Sequence, residues 1–188
     1  MHTVETLDAR HYSTGDARAI AELLCKVWPK PEKPVEVRTE QLLHIACNYR
    51  GPEQQHPRSV LIREAGQVIA HAGMVPRTIG TTRGDLTVAG LTRVCCNPAC
   101  RGQGLGEIVV REILTLIDNS IFPFSLFQTS AKVQPFYEKL GAAVVTNPIG
   151  NSLSDDPTAC PFWDDVVLYY PKDRDWPSGA IDLRGPGY

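Results

Sequence analysis

The sequence predicts a mixed α/β domain, and three observations carry that prediction. Two short apolar runs, Ser59–Glu64 and Val68–Met74, flank Ala65-Gly66-Gln67 and read as a β-hairpin. A third run, Leu86–Cys96, leads through a glycine-rich stretch into a segment whose apolar residues recur at helical spacing. From there strand-like and helix-like segments alternate as β-α-β-α-β, and a helical crossover of this kind joins parallel strands.

The elements follow in chain order. Ser13-Thr14-Gly15-Asp16 offers side chains that cap a helix, and Ile20, Leu23, Leu24 and Val27 share one face until Trp28-Pro29 stops it. Pro29, Pro31 and Pro34 stiffen a connector, after which Leu42, Leu43, Ile45 and Ala46 predict a second helix running to about Tyr49. Gly51-Pro52 ends it. The hairpin comes next, then Gly84-Asp85 and the strand Leu86–Cys96, interrupted at Gly90. Leu105, Ile108, Val109, Ile113, Leu114 and Ile117 mark an amphipathic helix that ends near Asn119. Phe122–Gln128 predicts a buried strand, Ala131–Leu140 a short helix closed by Gly141, and Ala142–Thr146 another strand. Residues 147–158 are rich in Asn, Pro, Ser and Asp and read as a loop, and Phe162–Tyr170 predicts a last strand before Pro171. One domain over residues 1–171 is expected, with an irregular tail over 172–188.

Composition narrows the function classes. A chain of 188 residues suits a single domain, and 43% apolar with 21% charged residues is a globular balance. A net charge of −2 and a pI near 6.2 provide no global positive field, so no nucleic-acid partner is expected. The segment from Met1 to Asp8 has no basic and apolar leader pattern, and no run approaches the ~18 apolar residues of a membrane span. A cytoplasmic protein with no membrane partner is the expectation. The six cysteines, Cys25, Cys47, Cys95, Cys96, Cys100 and Cys160, contain no C-x-x-C pair, so free thiols are expected. Cys95, Cys96 and Cys100 cluster without a nearby His, an incomplete set for a metal, and no metal site is expected.

The sharpest local signal is Asn97-Pro98-Ala99-Cys100-Arg101-Gly102-Gln103-Gly104-Leu105-Gly106. Such a strand-to-helix loop suits an anion, because glycines admit close approach and a helix N-terminus presents unpaired N–H groups and the positive end of its dipole. A P-loop requires Lys and Ser or Thr where Leu105-Gly106 stands. A dinucleotide fingerprint requires glycine where Glu107 stands. What remains, Arg101-x-x-Gly104-x-Gly106, resembles the acyl-CoA pyrophosphate loop of the GCN5-related N-acetyltransferases, R/Q-x-x-G-x-G/A. Downstream, Pro135-Phe136-Tyr137-Glu138-Lys139-Leu140-Gly141-Ala142 is similar to the second signature of that family, F-Y-x-K-L-G-F.

The resemblance covers about Ser59 to Thr146 and implies a mixed, seven-stranded twisted sheet flanked by helices. It also implies a V-shaped split between the strand ending near Cys96 and the strand starting near Phe122. Acetyl-CoA is the implied co-substrate. Val94, Cys95 and Cys96 would hold pantetheine through their backbone, and Arg101, Gly102, Gln103, Gly104, Leu105, Gly106 and Glu107 would hold the pyrophosphate. Ser130 stands where the family often has an asparagine bonded to pantetheine; a hydroxyl has shorter reach.

The implied reaction is attack of a small-molecule primary amine on the thioester through a tetrahedral intermediate. The backbone of Val94–Cys96 would donate to the oxyanion, and Tyr137 would protonate the leaving thiolate. Many family members carry a glutamate base on the strand before the loop, whereas this chain has Thr92-Arg93, which leaves His71, Asp164, Asp165 or water as candidates. Strand alternation puts the thiols of Cys95 and Cys96 on opposite faces with no His beside them in sequence, which weighs against an acyl-cysteine route. The segments 161–167 and 176–188 are similar to the ends of aminoglycoside 2′-N-acetyltransferases and nodulation acyltransferases, and Asp155, Asp156, Asp164 and Asp165 would suit a cationic acceptor. A non-catalytic acyl-CoA-binding module, a longer acyl donor or an acyl-carrier donor, and a homodimer stay open.

Overall fold

The computed structural model describes residues 3–45, 47 and 49–188 and shows a mixed α/β fold with a mostly antiparallel open sheet flanked by helices. Hydrogen bonding links seven strands in the order β1-β2-β3-β4-β5-β8-β6: Thr3–Asp8, Arg58–Glu64, Gln67–Thr81, Gly84–Cys96, Ser125–Thr129, Val166–Tyr170 and Ala143–Val144. Two short strands, β7 (Ile149–Gly150) and β9 (Ile181–Asp182), lie off this path. The helices are α1 (Thr14–Val27), α2 (Val35–His44), α3 (Leu105–Asp118) and α4 (Gln134–Lys139). Among the described residues no helix is long and apolar enough to cross a membrane. The chain divides into two compact units, one containing the residues up to Val75 with Arg93–Thr115, the other Pro76–Thr92 with Leu116–Tyr188.

In the first unit, β1 and β2 pair antiparallel from Thr3↔Arg63 to Asp8↔Arg58, and β2 pairs with β3 across a two-residue turn. That turn is Ala65-Gly66, both at positive φ (48° and 81°), the conformation whose twist matches a hairpin. Helix α1 begins where the sequence places it: the Ser13 hydroxyl accepts the Asp16 N–H at 3.0 Å. Its apolar face, Ala17, Ile20, Ala21, Leu23 and Leu24, forms a core with Leu42 of α2, Leu61, Val68 and Cys95. Arg63 ties β2 to β1 and α1 through Glu5 (3.1 Å) and Asp16 (2.7 Å).

One expectation needs correction here, and one element had no signal in the sequence. Thr3–Asp8 is a strand, and α2 occupies Val35–His44 rather than running to Tyr49. Pro34 is the N-cap, its extended backbone (φ −64°, ψ 175°) ending the proline-stiffened connector, and Glu36 suits the dipole in the first turn. Ile45 is its C-cap, and Ala46 lies outside the described residues.

In the second unit, β4 and β5 are parallel, as the β-α-β order requires, but their ladder has only two pairs, Ala89↔Ser125 and Gly90↔Leu126. Strand β4 runs through Gly90 without interruption; its irregularity is Arg93, at φ 53°. β8 pairs antiparallel with β5 over Ser125↔Tyr170 to Thr129↔Val166, and β6 lies on its other edge. The last strand starts at Val166, four residues later than the apolar pattern suggests, because Phe162 packs in the core outside any ladder while Trp163, Asp164 and Asp165 are exposed.

The tail is more ordered than its composition predicts. β9 pairs parallel with β7 and antiparallel with β3 at Gly80↔Asp182, and Ile181 and Leu183 are fully buried with Ile79, Val88, Phe124 and Leu126. Tyr188 closes the segment: its hydroxyl donates to the Leu126 carbonyl at 2.9 Å, and its carbonyl accepts from Gln128 Nε2 at 3.0 Å.

Candidate active site

The first unit gathers the end of β4, the glycine loop and the start of α3. Past Arg93, Cys95 enters the core under α1, while a Cβ placed on Gly106 would meet Cys96 Sγ at 3.4 Å. The two thiols therefore face opposite sides of the strand. Burial raises both thiol pKa values, Cys95 strongly, so neither is a ready thiolate. Asn97 turns the chain, its N–H donating to Ile69 O (2.8 Å) and its side chain accepting from the Ala99 N–H (3.1 Å).

Beyond the short turn Pro98–Cys100 the loop takes its distinctive shape. Gly102 and Gly104 hold φ of 79° and 76°, a region that strains other residues, and a Cβ on either would enter open space. Helix α3 then starts with Ile108 N–H to Gly104 O as its first closing bond. Among the described residues the N–H groups of Gly102, Gln103, Gly104, Leu105, Gly106 and Glu107 have no acceptor. Arg101 is exposed and unpaired among the same residues, while the Glu107 carboxylate turns along its own helix to Arg111 (2.8 Å). A row of outward N–H donors at a helix N-terminus, with backbone open to close approach, fits an anionic pyrophosphate.

Behind β4 lies a buried hydrogen-bond chain that sequence reasoning missed apart from His71. The Tyr12 hydroxyl donates to Ser59 Oγ (2.5 Å), Ser59 Oγ lies 2.6 Å from His71 Nε2, and His71 Nδ1 lies 2.8 Å from the Arg93 carbonyl. A carbonyl only accepts, so Nδ1 carries the proton and Nε2 accepts from Ser59. His71 is fully buried, and burial lowers its pKa to about 4 against the opposing effect of the Arg93 carbonyl. It is neutral at pH 7. Burial likewise raises the Tyr12 phenol and lowers the Arg93 guanidinium. The local sequence carries no signal for this chain, whose three links span 47, 12 and 22 residues.

The other predicted residues lie in the second unit. Tyr137 is buried beside Phe127 and Phe136, with ring centroids 4.7 and 4.9 Å away. Ser130 starts the turn into α4, its carbonyl accepting from Val133 and Gln134 N–H (2.9 and 3.0 Å). Asp164 and Asp165 precede β8 rather than lying on it, and the Asp164 N–H donates to Gln128 Oε1 at 2.9 Å. Asp155 and Asp156 stand in an exposed turn where the Asp156 carboxylate accepts from Thr158 N–H and hydroxyl (3.1 and 2.7 Å). A pocket of about 520 Å³ in this unit, bounded by Asn147, Tyr169, Arg174 and Trp176 among others, includes none of the predicted residues.

Among the described residues one group has the geometry of metal ligands, Asp8, Glu53 and His56, whose donor atoms lie within 4.8 Å of one another. Arg10 already occupies it, bonding Asp8 Oδ2 (2.5 Å) and Glu53 Oε1 (2.6 Å) and holding the Asp8 pKa down at about 2. All six cysteines are free.

Residues 8–145 match the family model for an acetyltransferase (GNAT) domain. No curated protein matches the chain. Its structure is similar to that of the GNAT family N-acetyltransferase YhbS from Escherichia coli in complex with CoA, with TM-score 0.64 and 13% identity over 97% of this chain and 89% of that one. It is also similar to a GNAT family acetyltransferase from Brucella melitensis in complex with acetyl-CoA, with TM-score 0.58 and 17% identity over 97% and 96%. A GCN5-related N-acetyltransferase from Kribbella flavida gives TM-score 0.56 and 16% identity over 76% of this chain, which spans only 33% of that protein. These likenesses concern the fold. With the family model matched from Asp8 to Val145, across most of its length, the chain belongs to the GNAT acetyltransferase family.

Proposed function

We propose that this acyltransferase-family chain is an N-acetyltransferase that moves an acetyl group from acetyl-CoA to a primary amine of a small molecule. The observation that carries the reading is the run of N–H groups from Gly102 to Glu107 without acceptors among the described residues, displayed by two glycines at positive φ. When bound, acetyl-CoA supplies an acyl group activated as a thioester. The loop N–H groups would hold its pyrophosphate, with Arg101 adding charge, and the β4 backbone at Val94–Cys96, beyond the point where the β4–β5 ladder stops, would hold pantetheine. The same backbone would donate to the acyl oxygen as it gains negative charge.

Overall, one C–N bond forms, one C–S bond breaks, and a proton moves from nitrogen to sulfur. Tyr137 is the proton donor we assign to sulfur. Neither cysteine is suited to carry the acyl group, because burial keeps both protonated. The proton on nitrogen goes to water in this reading: Asp164 and Asp165 are exposed loop residues, and His71, fully buried with a pKa near 4, is a weak base.

Thermal melting with acetyl-CoA, CoA, ATP and NAD tests the binding half. A ligand at ~100 times its Kd stabilises by about 2.7 kcal/mol, so the CoA species should raise Tm and the other two should not. Thiol release on adding amines tests the chemistry. A CoA shift without thiol release for any amine would establish the non-catalytic module instead, and no shift would defeat the loop assignment.

A further inference from the structure

The chain has thirteen arginines, and eleven of them hold a carboxylate or a backbone carbonyl. The two exceptions among the described residues are Arg101, exposed in the glycine loop, and Arg93, partly buried eight residues earlier. Arg93 has neither an ion pair nor a hydrogen bond from its guanidinium among those residues, and the ionisable groups near it are the Tyr12 phenol and the Arg38 guanidinium rather than any carboxylate. Burying a cation without a counter-charge is costly, and folded proteins almost always pair or solvate such groups.

The fold nevertheless fixes this residue firmly. Arg93 is held at φ 53°, an uncommon conformation for a side chain of its size, and its carbonyl is bound by the Nδ1–H of fully buried His71 at 2.8 Å. His71 is in turn locked through Ser59 to Tyr12. A backbone pinned in this way, with a guanidinium that has no partner among the described residues, is suited to hold an anion from outside the chain.

We propose that Arg93 receives a carboxylate on the acyl acceptor, so that the acceptor is an amino acid or related amino-carboxylate rather than a polyamine or aminoglycoside. The proposal rests on reading the chain as an acetyl-CoA-dependent N-acyltransferase. Arg93 immediately precedes Val94–Cys96, the backbone assigned to the reacting carbonyl, so a carboxylate held by Arg93 brings its neighbouring amine to the chemistry. The planar fork of one guanidinium matches the two oxygens of a carboxylate. A phosphate dianion calls for more donors than this site supplies: Arg38 gives its Nε to Lys33 O and its Nη2 to Trp28 O, and Tyr12 gives its proton to Ser59. The acidic acceptor pocket expected from Asp155, Asp156, Asp164 and Asp165 has no support, since all four are exposed and Asp156 builds a turn.

The test compares the wild-type chain with Arg93→Met and Arg93→Lys, using the twenty protein amino acids, their decarboxylated amines and phosphoethanolamine as acceptors. The wild type should acetylate at least one amino acid with kcat/KM roughly 30-fold or more above its decarboxylated counterpart, the scale set by one buried charge pair. Arg93→Met should erase that preference through KM more than kcat, Arg93→Lys should restore part of it, and the acetyl-CoA melting shift should be the same in all three. Without ligand, Arg93→Met should melt no lower than wild type, since it removes a partly buried cation that no carboxylate of the described residues pairs. Equal turnover of amino acid and amine, no turnover of any amino acid, a preference that survives in Arg93→Met, or a preference for phosphoethanolamine would each overturn the proposal. If acetyl-CoA gives no shift in wild type, the acyl-CoA reading fails instead, and an amino-acid melting shift lost in Arg93→Met then decides Arg93 alone.

Discussion

Trp176–Tyr188 and Arg93–Glu107 treat their polar groups in opposite ways. In the first, Trp176 Nε1 donates to Asn147 Oδ1 at 2.9 Å, and the Asp182 carboxylate accepts the Ser152 N–H and hydroxyl at 2.9 and 2.6 Å. Arg184 forks onto Asp85 at 2.8 and 2.7 Å, and the Tyr188 hydroxyl reaches the Leu126 carbonyl. In the second, two guanidiniums and six consecutive N–H groups have no acceptor among the described residues. One segment is a fastening whose polar side chains make their hydrogen bonds inside the second unit. The other leaves these donors without partners among the described residues, and that is the property expected of a surface selected to hold a ligand.

The largest effect that sharpens this contrast is on stability. Leu183 is fully buried among apolar side chains, so Leu183→Ala should lower unfolding free energy by about 2–5 kcal/mol, read by chemical denaturation. The affinity of the remaining folded protein for acetyl-CoA should stay unchanged; weakened affinity would mean that the fastening also shapes the ligand surface.

Next comes acid sensitivity behind β4. The folded pKa of His71, about 4, lies below its ordinary 6.5, so between those values the unfolded chain binds more protons. Stability from this group is therefore complete above pH 6.5, falls as the pH drops toward 4, and levels off below it. The full amplitude is on the order of 3 kcal/mol. Melting curves of wild type and His71→Gln between pH 7 and 4.5 should diverge in slope, the variant being flatter; parallel slopes would show that His71 is not buried neutral.

A third change acts on the open segment itself. Gly104→Val forces a β-branched residue to φ 76° at a cost of roughly 1–3 kcal/mol and places methyl groups where a Cβ now meets nothing. The acetyl-CoA melting shift should disappear even at a temperature where the variant is folded by circular dichroism. A retained shift would move the ligand surface away from the loop.

Legibility in the sequence followed the range of the interactions. The hairpin turn at Ala65-Gly66, the Ser13 cap and the glycine loop are set by neighbours a few residues apart, and all three stand where the pattern places them. Strand β1 is not legible, because Thr3–Asp8 carries no strong apolar alternation and becomes a strand by pairing with β2, from Thr3↔Arg63 to Asp8↔Arg58. Helix α2 stands earlier than its apolar residues suggest, because the proline connector ends at Pro34 and Ile45 is already the C-cap. The order of the tail depends on β9 meeting both β3 and β7. For the site, the loop was readable as chemistry, whereas Tyr12, Ser59 and the unpaired state of Arg93 emerge only when three distant segments are packed together.

The smallest predicted effect tests the fastening at a single atom. Burial holds the Tyr188 phenol far above its usual pKa, so it stays a neutral donor at any physiological pH, and it donates its proton to the Leu126 carbonyl at 2.9 Å. Tyr188→Phe keeps the ring packed edge-on against Phe162, centroids 5.4 Å apart, and under the Arg77 guanidinium at 5.4 Å. Only the hydrogen bond is removed, which should cost about 1 kcal/mol. Because that oxygen belongs to the fastening segment, kcat/KM should be unchanged within error at 25 °C. A variant that matched wild-type stability but lost activity would place Tyr188 among the receptors instead, and would dissolve the distinction between the two segments.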